Sequence, residues 1–324
     1  MCTALTYSTS DHYFGRNLDL EYSYDERVII TPRNYPFHFR HLPSQIKHYA
    51  MIGMAYVSGG FPLYYEATNE KGLSIAGLNF PGNAVYKPLC DSKDNVAPFE
   101  LIPWLLGQCF TLQQTRELLD RLNIAQINFS EKLPASPLHW MISDQQGSIV
   151  LESVEEGLKT YDNPVGVMTN NPPFDFQLFQ LNNYMHVTAQ KPVNRFSDQL
   201  ELKEYSLGMG GIGLPGDLSS MSRFVKAVFT RMNSISAKGE MESVSQFFHI
   251  LGSVEQQRGC TFVRDGEYEF TYYSSCCNMD KGIYYYRTYD NSQISAVNMH
   301  HENLEGSELI SFALCKEQQI KMHN

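Results

Sequence analysis

Cys2 directly follows the initiator Met1, and methionine is usually trimmed when the next residue is as small as cysteine. Trimming leaves one residue with two reactive groups. An α-amino group with a reference pKa of about 8 can accept a proton near neutrality, and a thiol of about 8.5 is the most nucleophilic side chain once ionised. Base and nucleophile then share one residue, which suits acyl transfer. By position alone such a cysteine reads as part of a frayed end, so the reading depends on what surrounds it.

The next twenty residues supply those surroundings. Cys2-Thr3-Ala4-Leu5-Thr6-Tyr7 has the pattern of an ordered strand, and a second strand ends in Gly15-Arg16-Asn17-Leu18-Asp19. Paired as a hairpin, the two would bring Arg16 and Asp19 beside Cys2. A guanidinium near sulfur favours the thiolate, and a carboxylate near the amine orients it and stabilises its protonated form. An acyl-transfer site also needs donors for an oxyanion, usually Asn side chains and backbone N–H groups.

Other motifs carry less chemistry. Gly208, Gly210 and Gly213 match G-x-G-x-x-G, but Leu214-Pro215-Gly216-Asp217 follows as a turn, where a dinucleotide site needs a helix to begin. His38 with His41, and His300 with His301, lack Cys or carboxylate partners at ligand spacing. Ser74 is one glycine short of a nucleophile elbow and reads as a strand residue. Cys276 and Cys277 should point to opposite faces of a tyrosine-rich strand as small buried hydrophobes. The tyrosines around them read as core packing.

Strand-like runs must position the reactive residues: Cys2 to Tyr7, Tyr13 to Leu18, Val28 to Thr31, Ala50 to Val57, Leu63 to Ala67 and Leu73 to Leu78. Two helices are predicted between Pro98 and Asn123. His139 to Ser143 and Ser148 to Glu152 read as a hairpin with Val165 to Thr169 as a third strand beside it. Helices follow over Asp175 to Tyr184, from a cap at Ser219 or Ser220, and over Glu242 to Leu251. Strands at Tyr268 to Ser274, Ile283 to Thr288 and Ile294 to Val297 close the chain. Strands and helices alternate as blocks, which predicts an α+β protein with antiparallel sheets in a layered sandwich.

With 43% hydrophobic residues the 324-residue chain can bury a large core, and no linker composition or repeat divides it, so residues 1–324 are expected to form a single domain. A net charge of -10 with scattered Lys and Arg argues against nucleic acid or an anionic membrane as partner. The longest apolar runs fall far short of the roughly 20 residues of a bilayer span, and the first residues lack a secretory pattern. Seven cysteines without a C-x-x-C pair suit a reducing cytoplasm.

The chain resembles the choloylglycine hydrolases, the N-terminal-nucleophile family of bile salt hydrolases and penicillin V acylases, along nearly its whole length. The matching segments are Met1-Cys2-Thr3, Phe14-Gly15-Arg16-Asn17-Leu18-Asp19, Asn69-Glu70-Lys71-Gly72-Leu73, Ala76-Gly77-Leu78-Asn79-Phe80, Leu138-His139-Trp140, Thr169-Asn170-Asn171-Pro172 and Gly213-Leu214-Pro215-Gly216-Asp217 leading to Ser222-Arg223-Phe224. The resemblance implies a four-layer αββα sandwich, no metal or organic cofactor, and a homotetramer. It also implies Cys2 as nucleophile with its freed amine as base, flanked by Arg16 and Asp19. Asn170 would give a side-chain oxyanion donor, Asn79 a backbone one, and Arg223 would complete the polar network. Taken one at a time, Asn79 and Asn170 also suit turns and Arg223 a helix ion pair.

The position of Asn79 is typically Asn in the bile salt enzymes and often Tyr in the penicillin acylases, so the chain looks more like the former, and most like those of Gram-positive bacteria. A rigid steroid calls for a wide apolar cleft, and the resemblance places such surface near Leu18, Phe129 and Leu133; each could instead face the main core. The implied substrates are glycine and taurine conjugates of bile acids. A penicillin V acylase, and a non-catalytic bile salt carrier that retains Met1, are the other readings.

Overall fold

Alternation along the strands decides the layering. In the strand Arg27–Thr31, Val28 and Ile30 belong to one core and Ile29 to another, and in Ser148–Val154 Val150 is separated in the same way from Ile149 and Leu151. A strand buried on both faces reads as a continuous apolar run and must be covered on both sides. The computed structural model, which describes residues 1–324, shows what covers it.

Eight strands make one sheet, in the spatial order Gly157–Asp162, Ser148–Val154, Leu138–Ser143, Ser74–Asn79, Phe61–Asn69, Met51–Ser58, Arg27–Thr31 and Ile310–Phe312. Six make the other: Val167–Met168, Cys2–Ser8, His12–Leu20, Phe270–Asn278, Ile283–Thr288 and Asn291–Asn298. All pairings within both sheets are antiparallel. One face of the eight-stranded sheet packs on the six-stranded sheet through Ile52, Met54, Ala76, Leu78 and Met141. Its other face, through Ile75, Trp140 and Ile142, packs on the helices Leu101–Leu106 and Leu112–Leu119.

Helices Ser220–Asn233 and Glu240–Gly252 cover the outer face of the six-stranded sheet through Phe224, Phe247 and Phe248. The result is the four-layer αββα sandwich of antiparallel sheets, an α+β fold. Ser219 caps the first of these helices by accepting the Ser222 N–H at 3.4 Å, an arrangement worth about 1 kcal/mol. That cap starts the helix one turn before Arg223.

Two details differ from the sequence expectation. The strand next to Ser148–Val154 is Gly157–Asp162, and Val167–Met168 pairs instead with Cys2–Ser8 in the other sheet. Gly157–Asp162 is half exposed and polar, so it carries no apolar alternation to reveal it. The strand expected to end at Ser274 continues to Asn278, and Cys276 and Cys277 are buried strand residues as expected. The glycine-rich stretch contains the short turn Met209–Gly211, and its helix begins only at Ser220.

Candidate active site

The hairpin register sets the site. Cys2 stands opposite Leu18, Thr3 opposite Asn17 and Ala4 opposite Arg16. Directly opposed residues share a face of the sheet, so Cys2, Arg16 and Leu18 point between the two sheets, while Thr3, Asn17 and Asp19 point to the helices. Arg16 is thus the diagonal neighbour of Cys2. Of the two residues expected beside Cys2, Arg16 lies on the thiol face and Asp19 on the opposite face.

Arg16 crosses from one sheet to the other. Its Nη1 donates to Tyr65 O at 3.1 Å and Gly77 O at 2.7 Å, and its Nε lies 3.8 Å from Glu66 Oε2. Burial pulls its pKa down, but Cys2, Tyr273, Glu66 and Asp19 outweigh that and hold it above the ordinary arginine value. Glu66 accepts from Tyr273 OH at 2.7 Å, Ser275 Oγ at 3.0 Å and Tyr284 OH. Burial pushes its carboxyl up, and Arg16 and the hydroxyls oppose that shift. Three hydroxyl donors and the Arg16 guanidinium converge on it.

Gly15 makes this convergence possible. A Cβ there would fall 2.0 Å from Ser275 O, so only glycine lets the strand Phe270–Asn278 come this near. Ser275 Oγ can then accept the Arg16 backbone N–H at 3.2 Å and still donate to Glu66.

On the main-chain side of Cys2, its N–H donates to Asn170 Oδ1 at 2.7 Å. The same oxygen accepts Arg223 Nη2 at 2.8 Å, and Arg223 Nη1 donates to Cys2 O and to Thr3 Oγ1, each at 2.6 Å. Asn170 Nδ2 donates to Asn79 O at 2.7 Å. A side-chain amide has two N–H bonds, so one remains for another acceptor. Burial lowers the Arg223 pKa, opposed by Asp19, Cys2 and Glu269.

Neighbouring residues hold Asn170 in place. Its N–H donates to Ser220 Oγ at 2.8 Å, and Thr169 Oγ1 donates to Gln177 Oε1 at 2.8 Å. Fully buried His139, stacked on Phe80 with ring centroids 4.3 Å apart, reaches Thr169 O at 2.8 Å and Glu152 Oε1 at 3.1 Å.

Asp19 is fully buried, with Thr271 Oγ1 at 2.7 Å, Gln256 Nε2 at 2.9 Å and Arg223 Nη1 at 3.8 Å from its carboxylate. Its backbone brackets Met1: Met1 N donates to Asp19 O and Asp19 N to Met1 O, both at 3.0 Å. The Met1 ammonium also meets Glu269 Oε2 at 2.5 Å.

A cavity of about 360 Å³ opens on Cys2, with Leu18, Asn79, Phe129 and Leu133 in its lining. All three apolar residues named from the sequence therefore face it. Phe129 packs edge-on to Phe99 with centroids 5.2 Å apart, and Arg40 donates to its carbonyl at 2.9 Å. Asn79, the exposed last residue of Ser74–Asn79, forms one wall.

Glu66, Tyr273, Tyr284, His139, Glu152, Gln256 and Glu269 were not singled out as site residues from the sequence. Glutamates inside strands, Glu66 in Phe61–Asn69 and Glu152 in Ser148–Val154, were the available signal, since a buried carboxylate needs partners.

A thiol beside a buried guanidinium, a nitrogen held by an amide side chain and a neighbouring strand end together suit nucleophilic attack on a carbonyl carbon. The choloylglycine hydrolase family, described as linear amide C-N hydrolases, matches residues 2–312. The bile salt hydrolase/transferase of Lactiplantibacillus plantarum is 60% identical over 319 residues, covering 98% of each chain. That of Clostridium perfringens is 38% identical over 330 residues, covering 100% of each. A crystal structure of a mutant conjugated bile acid hydrolase from C. perfringens superposes with a TM-score of 0.92 at 37% identity and full coverage of both chains. A penicillin V acylase from Agrobacterium tumefaciens shares the fold, with a TM-score of 0.76 at 17% identity over 96% of this chain and 91% of that one. The chain belongs to the choloylglycine hydrolase family of linear amide C–N hydrolases.

Proposed function

We propose that the protein hydrolyses the amide bond of conjugated bile salts, releasing glycine or taurine, with Cys2 as the nucleophile once Met1 is removed. The observation that carries this reading is the hydrogen-bonded series from Cys2 N through Asn170 to Asn79 beside a cavity lined by Leu18, Phe129 and Leu133. The printed activities of the L. plantarum and C. perfringens relatives support the substrate class. So does an asparagine at position 79.

In this reading the freed Cys2 amine takes the thiol proton and sulfur attacks the amide carbonyl. Asn79 N–H and the second Asn170 Nδ2–H bond the oxyanion. Collapse breaks the C–N bond, the protonated amine gives its proton to departing glycine or taurine, and a thioester remains. Water, deprotonated by the same amine, attacks the thioester and returns the sulfur. Arg16 flanks the sulfur, Asp19 and Arg223 support the amine side, and the chemistry draws on no metal or organic cofactor.

The same reading takes residues 1–324 as one catalytic domain working as a homotetramer in the cytoplasm. Phe176, Phe179, Met185, Phe196, Tyr205 and Leu207 are all exposed within one stretch of chain, and apolar surface on that scale marks a contact region. Seven free cysteines suit a reducing compartment, and no helix is long and apolar enough to cross a membrane.

The test is release of glycine and taurine from conjugates by protein whose intact mass shows that Met1 is gone. Cys2→Ala should abolish release, and undiminished turnover by that variant would overturn the reading. Specificity constants should favour the bile salts over penicillin V.

A further inference from the structure

We propose that Glu66 is a positioning residue for the Cys2 thiol, acting through Arg16: it holds the guanidinium between the sheets and offsets its charge at the sulfur. The inference rests on Cys2 being the nucleophile.

Three observations carry it. Glu66 is the carboxylate that pairs with Arg16 at Nε, and both side chains are almost wholly buried. Its oxygens take Tyr273, Tyr284 and Ser275 hydroxyls, so it has the donors that an ionised carboxylate needs away from water. Ser275 ties the cluster to the hairpin, because its Oγ also accepts the Arg16 backbone N–H. Carboxylate, guanidinium and thiol strand are therefore joined by direct contacts.

Charge gives the arrangement its purpose. A bare guanidinium in a dry cleft would stabilise the thiolate strongly, yet sulfur loses nucleophilicity as its pKa falls, and an attacking thiol works best with a pKa near the ambient pH. With Glu66 ionised the pair is close to neutral, as is the Arg223–Asp19 pair on the other face. Sulfur then feels oriented dipoles and a tempered field. Tyr65 and Cys277 also lie near Glu66, and Arg16, Arg223, Asp19, Glu21 and Glu269 are the charged groups around the Cys2 end.

The test uses the processed enzyme, with Met1 removed, as wild type, Glu66→Gln and Tyr284→Phe. Iodoacetamide labelling of Cys2 is followed across pH by mass spectrometry of the N-terminal peptide. Glu66→Gln removes the compensating charge and should lower the labelling midpoint by about one pH unit, with the acid limb of kcat shifting the same way and KM within about twofold. Tyr284→Phe removes one donor from the carboxylate and should lower the midpoint by a smaller amount, which keeps the test open if Glu66→Gln does not fold. Loss of activity at every pH with unmoved midpoints would mean a purely structural role and overturn the proposal. Full turnover by wild type after complete Cys2 labelling would instead bring down the nucleophile assignment itself, and this inference with it.

Discussion

Arg223 and Cys2 share an acceptor: Arg223 Nη2 at 2.8 Å and Cys2 N at 2.7 Å both donate to Asn170 Oδ1. The contact joins the helix Ser220–Asn233, the strand Cys2–Ser8 and the loop after Val167–Met168. No two of these are adjacent in sequence. Arg223 also donates to Cys2 O and Thr3 Oγ1, which uses the planar fork of an arginine and not its charge alone.

Arg223→Lys keeps the charge and loses the fork. Burying an ammonium that cannot reach all four acceptors, Leu218 O included, should cost roughly 3 kcal/mol of stability and lower kcat/KM by about 100-fold. Thermal melts and steady-state kinetics check both effects.

Asn170→Asp keeps the oxygen that receives the Cys2 N–H and loses the Nδ2 donor. If that donor bonds the oxyanion, kcat should fall by about 10² to 10³ with KM little changed. Burst kinetics on a conjugate would show the loss in acylation. A variant with wild-type kcat would exclude Asn170 from the oxyanion site.

Phe129→Ala and Leu133→Ala each remove apolar wall from the cavity beside Cys2. Each should raise KM for a steroid conjugate about tenfold, with a smaller effect on a short straight-chain acyl amide. Equal effects on the two substrates would point to general loosening of the fold.

Retention of Met1 should abolish hydrolysis. The Cys2 nitrogen is then part of a planar amide and cannot act as a base, and Met1 itself lies in the cavity lining with its ammonium on Glu269. Inserting one glutamate between Met1 and Cys2 blocks trimming. Product release should fall below detection while the thermal midpoint stays close to that of the processed enzyme, with intact mass confirming the terminus.

Acid stability should depend in part on Asp217. Hydrogen bonds from the Ser219 and Ser222 side chains hold its carboxyl at about 2, below the ordinary 3.8. Because the folded value lies below the unfolded one, folding favours the ionised form. That contribution is complete above about pH 4 and fades as the pH falls towards 2. Thermal midpoints of wild type and Asp217→Asn should differ at pH 5 and converge near pH 2.

Legibility differed by scale. Both strands of the first hairpin and the helix carrying Arg223 were readable because their apolar periods and the Ser219 cap are local signals. Partner choice was harder to read: Val167–Met168 joined the sheet of Cys2, since a two-residue buried strand carries no mark of its neighbour. Tyr273 and Tyr284 pack in the core as the sequence suggests, and the tertiary structure adds the contact of their hydroxyls with Glu66.

By itself the sequence determined the α+β class and the family and pointed to Cys2, because a cysteine after Met1 and a series of ordered motifs are properties of the chain. Which groups surround Cys2 was decided by the tertiary structure. One-residue alternation put Arg16 on the face of Cys2 and Asp19 on the other, and sheet stacking brought Glu66 to Arg16 from a strand some fifty positions away. The physical reason is that side-chain direction follows strand parity, but the partner it meets depends on register and on which sheet lies opposite.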